Sequence, residues 1–77
     1  MKPLYELAQE YGLTIKPVYF TTLYIIEKHI TSKTVNIAEL LTVVYIFTSS
    51  NRGGSFKKIF NCIEEYFQIN KVEIKVI

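Results

Sequence analysis

The chain has 77 residues, 49% of them hydrophobic, with a net charge of +2 and a sequence pI near 8.7. That is enough apolar material for one small domain and too mild a charge to imply a polyanionic partner by itself. One cysteine and one histidine exclude an internal disulfide and a structural zinc centre of Cys and His ligands.

In chain order, Pro3 suits the first turn of a helix, Leu4, Leu7, Ala8 and Tyr11 recur at helical spacing, and Gly12 supplies a stop, which predicts a helix over residues 3–11. The piece LYELAQEYGLT resembles the first helix and turn of a helix-turn-helix, with Ala8 small where helices would cross and Val18 a following core residue. The helix that would then enter a groove starts at Pro17 and carries mostly apolar residues. Lys16 is its only nearby cation, and Glu6 and Glu10 precede it, so this segment makes a poor DNA surface.

Residues 17–31 read as a central or dimer-forming helix. Tyr19, Leu23, Ile26 and Ile30 form its main stripe, Phe20 and Tyr24 flank one side, and Val18 and Ile25 flank the other. Thr21, Glu27, Lys28 and Thr31 are expected in water, and His29 near the polar edge has no partner that the sequence names. A brief strand fits at Thr34-Val35. Asn36 with Glu39 three residues on has capping-box spacing, and Ile37, Leu40, Leu41, Val44 and Phe47 follow on one face, which predicts a helix over residues 37–47. The run TVVYIFT at 42–48 also has the β-branched and aromatic content of a buried strand.

Gly53-Gly54 form a hinge, Ser55 can cap the next helix, and Phe56, Ile59, Phe60, Ile63 and Phe67 give it a core face over residues 56–68. Lys57, Asn61, Glu64, Glu65 and Gln68 lie opposite. Cys62, between Lys58 and Tyr66 on the flank, reads as a small, partly buried apolar residue and not as a nucleophile. Residues 71–77 alternate Val72, Ile74 and Val76 with charged residues, the pattern of a strand that needs a partner.

The fold expected is therefore mainly α with a small β component: four helices plus a C-terminal strand in one domain. Helix, short strand, helix, glycine turn, helix, strand, together with the segment TSSNRGGSFKK, resembles the winged-helix form of the helix-turn-helix family over residues 17–77, although the chain ends before a wing hairpin. The alternative is an α+β fold with a βαβ unit over residues 42–77. Its SNRGGS loop lacks both the Lys-Ser/Thr of a nucleotide P-loop and the three-glycine dinucleotide spacing.

The resemblance implies a DNA-binding transcriptional regulator, a homodimer with helix 55–68 in the major groove of double-stranded DNA. No acid occurs between Glu39 and Glu64, so Arg52, Lys57 and Lys58 coincide with the positive end of the helix dipole and would hold phosphates. Asn51, Gly53, Gly54 and Ser55 would add amide or hydroxyl contacts, and Asn61 would read base edges. The rival reading is a small protein-protein interaction or inhibitor protein. Six Tyr and five Phe, with Phe20, Tyr24, Val43 and Ile46 off the main stripes, exceed what a small monomeric core uses.

No nucleophile, base and orienting group can be assembled, so neither an enzyme, a metal nor a cofactor is expected. The longest uncharged runs, residues 17–26 and 40–51, are too short to span a bilayer, and Pro3 and Glu6 do not suit a signal peptide. A cytoplasmic protein is expected. The Ile, Lys and Tyr content without Trp resembles that of small archaeal virus and plasmid proteins, in which case the compartment would be the host cytoplasm.

Overall fold

The computed structural model describes residues 3–30, 33–54 and 56–75. It is mainly helical with a small sheet: α1 Leu4–Glu10, a 3-10 turn Pro17–Tyr19 leading into α2 Phe20–Ile30, β1 Thr34–Asn36, α3 Ile37–Ser50, α4 Phe56–Asn70 and β2 Glu73–Lys75. The four helices and the late strand match the expected class.

Local chemistry accounts for most of the boundaries. Tyr11 closes α1, and Gly12 follows with φ +69. The amides of Gly12 and Leu13 donate to the Gln9 and Ala8 carbonyls at 3.0 and 2.8 Å. This is a Schellman closure, and its accompanying hydrophobic residue, Leu13, is buried. At α3, both halves of the capping box form: the Asn36 side chain accepts from the Glu39 amide at 2.8 Å, and the Asn36 amide donates to the Glu39 carboxylate at 3.2 Å.

With that start, residues 42–48 continue as helix. The strand reading and the βαβ unit at 42–77 are thereby corrected: the β-branched run buries Val43, Ile46 and Phe47 at helical spacing. α3 also runs one turn beyond Phe47, and α4 extends past Gln68.

β1 and β2 pair in parallel, Val35 opposite Ile74, with α3 and α4 forming the crossover that parallel strands require. The last strand thus finds its partner within the chain. It is shorter than residues 71–77, and Val76 and Ile77 lie outside the described residues.

α4 packs on both α1 and α3. Leu7, Ala8, Val35, Phe47, Ile59 and Cys62 are fully covered at the centre. In α2 the expected stripe holds, with Leu23, Ile26 and Ile30 buried, while Thr31 lies outside the described residues.

Two faces differ from expectation. In α3, Val43 and Ile46 are each 1% exposed, whereas Ile37 and Leu41, expected inside, are exposed. In α4 the core takes Ile59, Cys62, Ile63 and Tyr66, and leaves Phe56 and Phe60 outside. α3 is apolar around most of its circumference and α4 around about half, an arc wider than the core needs, so more than one stripe satisfies helical periodicity, and the packing of the neighbouring elements selects the phase.

Candidate functional site

Two surfaces meet along α4. The first is the glycine turn and the basic start of the helix. Asn51 ends α3, and its side chain is fully engaged with backbone: Oδ1 accepts from the Thr14 amide at 2.8 Å, and Nδ2 donates to the Thr14 and Phe47 carbonyls, each at 2.8 Å. Ser50 Oγ accepts from the Lys16 amide at 3.1 Å, and Ser49 Oγ and the Tyr19 hydroxyl lie 2.9 Å apart. Residues 49–51 thus form a polar seam that fastens the end of α3 to the segment between α1 and α2. Periodicity gave no hint of this role, because short polar residues at the end of a helix read equally well as a loop.

The turn itself requires its glycines. Gly53 has φ +78, and the Gly54 amide donates to the Asn51 carbonyl at 2.8 Å, so close that a Cβ on Gly54 would lie 2.9 Å from that oxygen. Of the predicted DNA contacts, Arg52, Gly53, Gly54, Lys57, Lys58 and Asn61 are exposed, Asn51 is held in the seam, and Ser55 lies outside the described residues.

Lys57, Asn61, Glu64 and Gln68 share one solvent-facing row at helical spacing, so an acid joins the basic residue and the asparagine on the same line. Gln68 Nε2 donates to Glu64 at 3.2 Å. Lys58 turns the other way: its Nζ lies beside Gly12, 3.6 Å from where a Cβ there would stand.

The second surface is apolar. Phe56 and Phe60 are 61% and 51% exposed, their rings stacked at 6.3 Å and 24°. Beside them runs an open groove between α3, α4 and β2, lined by Leu40, Phe60, Ile63, Phe67, Val72 and Ile74, with Glu64, Gln68, Lys71 and Glu73 also at its edges. Leu41 and Tyr45 on α3 are each 61% exposed. A smaller aromatic cleft forms between α1 and α2, where Tyr5 and Phe20 meet edge to face at 5.3 Å and Lys28 Nζ stands 4.8 Å over the Tyr24 ring. Phe20 and Tyr24 were expected off the main stripe; Phe56 and Phe60 were not. The signal for them was the second stripe Ile59, Cys62, Ile63 and Tyr66, which only packing could favour.

Several titratable groups are used in the fold. Glu27, expected in water, is half-buried. It accepts from the Leu4 amide at 3.3 Å and from the Tyr66 hydroxyl at 3.4 Å, and burial holds its carboxyl above the usual value. Tyr66 is raised by burial and then by the Glu27 charge. Cys62 is completely covered rather than partly so, and desolvation pushes its thiol to about 11, leaving it protonated and unreactive at neutral pH. His29 gains the partner its sequence could not name, Nδ1 lying 3.1 Å from Glu39 Oε2.

Among the described residues no group of three His, Cys, Asp or Glu could hold a metal ion, and no helix is long and apolar enough to cross a membrane. Comparison with family models, with curated proteins and with solved structures finds no match to this chain.

Proposed function

We propose that this chain is a small protein-interaction module whose working surface is the aromatic face of α3, α4 and β2. One observation carries the reading: α4 fills its share of the core with Ile59, Cys62, Ile63 and Tyr66, and still presents Phe56 and Phe60 to solvent beside an apolar groove. Covering a phenylalanine side chain is worth about 1.5–3 kcal/mol relative to leaving it in water, so such a face favours any partner that fits it. The test is binding of a hydrophobic fluorescent dye, at protein concentrations dilute enough for any self-association to be dissociated, to the native protein and to Phe56→Ser/Phe60→Ser. Reduced dye binding with an unchanged melting temperature is expected. Unchanged dye binding, or a collapse of the fold, would show that these rings are not a free surface.

A second reading has its own support, a DNA-binding transcriptional regulator acting as a homodimer. The stretch from Leu40 to Ile63 contains no acid, and Arg52, Gly53, Gly54, Lys57 and Asn61 are exposed around the start of α4. The winged-helix resemblance of the sequence, carried by its element order and the segment TSSNRGGSFKK, favours the same reading. In this reading Arg52, Lys57 and Lys58 hold phosphates, and Asn61 reads a base edge. Duplex binding that weakens with salt and is lost in Arg52→Glu/Lys57→Glu/Lys58→Glu supports it. No binding by the native protein at low salt removes it.

A further inference from the structure

We infer that the partner of the α3–α4–β2 face is a second copy of this chain, with the two α4 helices packed antiparallel about a two-fold axis; this rests on the interaction-surface reading above. Along α4, Phe56, Phe60, Ile63 and Phe67 follow one another at intervals of four, three and four, the spacing of a helix-pairing seam. Phe56 and Phe60 supply the exposed part of that seam, Phe67 is half-buried, and Ile63, a core residue 4% exposed, shows only its edge at the floor of the groove.

The charges beside the seam select the occupant. Lys57 and Glu64, both exposed, are seven residues apart and therefore occupy the same position relative to it. In an antiparallel pair that position faces its own equivalent. The register that sets Phe56 against the partner's Phe67, and Phe60 against the partner's Ile63, also sets Lys57 against the partner's Glu64. The two-fold axis repeats the pair, so one helix complements itself twice. In this register Phe60 of each copy enters the groove of the other between Leu40, Ile63 and Ile74. A parallel pair lacks this complementarity, because it would set Lys57 and Glu64 against the opposite flank of the partner's seam, Ile59 and Tyr66, which carry no charge and are buried in the chain's own core. Helices packed this way stand about 8–10 Å apart. They would not reach successive turns of DNA, so this dimer and spaced entry of α4 into two major grooves are alternatives.

Sedimentation equilibrium of the full chain tests the inference with Phe60→Ala, Lys57→Glu, Glu64→Lys and the double exchange Lys57→Glu/Glu64→Lys, each checked for helix content by circular dichroism. The native chain should dimerise. Phe60→Ala should weaken the dimer by about a hundredfold or more, as expected for a central aromatic anchor. Each single reversal sets like charges opposite one another twice and should weaken it about tenfold, whereas the double exchange should restore it to within about threefold. A dimer indifferent to Phe60→Ala, or one that the double exchange fails to restore, overturns the antiparallel register. A chain that stays monomeric yet binds the hydrophobic dye through Phe56 and Phe60 overturns self-pairing while leaving the interaction-surface reading intact; a monomer without dye binding overturns both.

Discussion

The side chain of Asn51 makes three hydrogen bonds to backbone and joins the end of α3 to the chain at Thr14, which lies 37 residues away in sequence. Such a bridge acts as a local strand for one residue, satisfying both the amide and the carbonyl of Thr14. Asn51→Ala should cost about 2 kcal/mol, since each net hydrogen bond is worth about 1 kcal/mol and the site is partly open to water. In a domain of this size that is a fall in melting temperature on the order of 10 °C. Asn51→Asp should do no better, because a carboxylate keeps the bond from the Thr14 amide and turns a charge toward two carbonyl oxygens. Thermal melts of the two variants would check this.

Glu27 offers a second test at this scale. Its carboxyl is raised by burial despite two donors that favour the anion. Below the unfolded-state value it is protonated in both states, and the fold keeps its full stability; as pH rises through the raised folded-state value, the native chain must carry a poorly solvated carboxylate and stability falls. The stability of the native chain relative to Glu27→Gln should therefore decrease from acid to neutral pH. Urea unfolding at the two pH values reads it, and a difference that grows with pH would contradict the assignment of burial as the cause.

At the scale of the element, helix ends are where the sequence spoke most plainly. Gly12, the Asn36–Glu39 box and the Gly53-Gly54 turn were legible because capping is a local matter of a few adjacent groups. The end of α4 carried no such sign. Lys71 takes φ +52, and the amides of Lys71 and Val72 donate to the Gln68 and Phe67 carbonyls at 3.3 and 2.9 Å, the same closure that Gly12 makes for α1. A left-handed lysine costs about 1 kcal/mol that glycine would not. Lys71→Gly should accordingly stabilise the chain by about 0.5–1 kcal/mol, and a β-branched residue at the same position should destabilise it. Chemical denaturation of Lys71→Gly and Lys71→Val would establish the order.

Over the whole molecule, the parallel pairing of β1 with β2 ties the end of the chain to the segment between α2 and α3, and Val35 at its centre is fully covered. The pairing also carries Val72 and Ile74 to the groove beside Leu40 and Phe67. Ending the chain after Asn70 would remove one strand, leave the β1 backbone unpaired and open that side of the core. A loss of about 2 kcal/mol is expected from the ladder bonds and the exposed apolar area together. Calorimetry would show a lower melting temperature with a single transition; an unchanged melting temperature would mean the strand pair is incidental to the fold.

The sequence by itself indicated the helical segments, except that it left residues 42–48 open between helix and strand, and it showed how α1 and α3 are terminated or capped and that a glycine turn leads into α4, because these depend on neighbouring residues and on backbone geometry available to any isolated chain. It also placed the basic residues of the turn and of α4 at the surface. Tertiary structure alone decided the phase of α3 and α4, the seam made by Ser49, Ser50 and Asn51, the burial of Glu27 and the pairing of β2 with β1. A helix whose apolar arc is wider than the core needs offers more than one stripe to it, and only the arrival of the neighbouring elements distinguishes between them. That choice buried Cys62 and Tyr66, and it left Phe56 and Phe60 on the face that we assign to a partner.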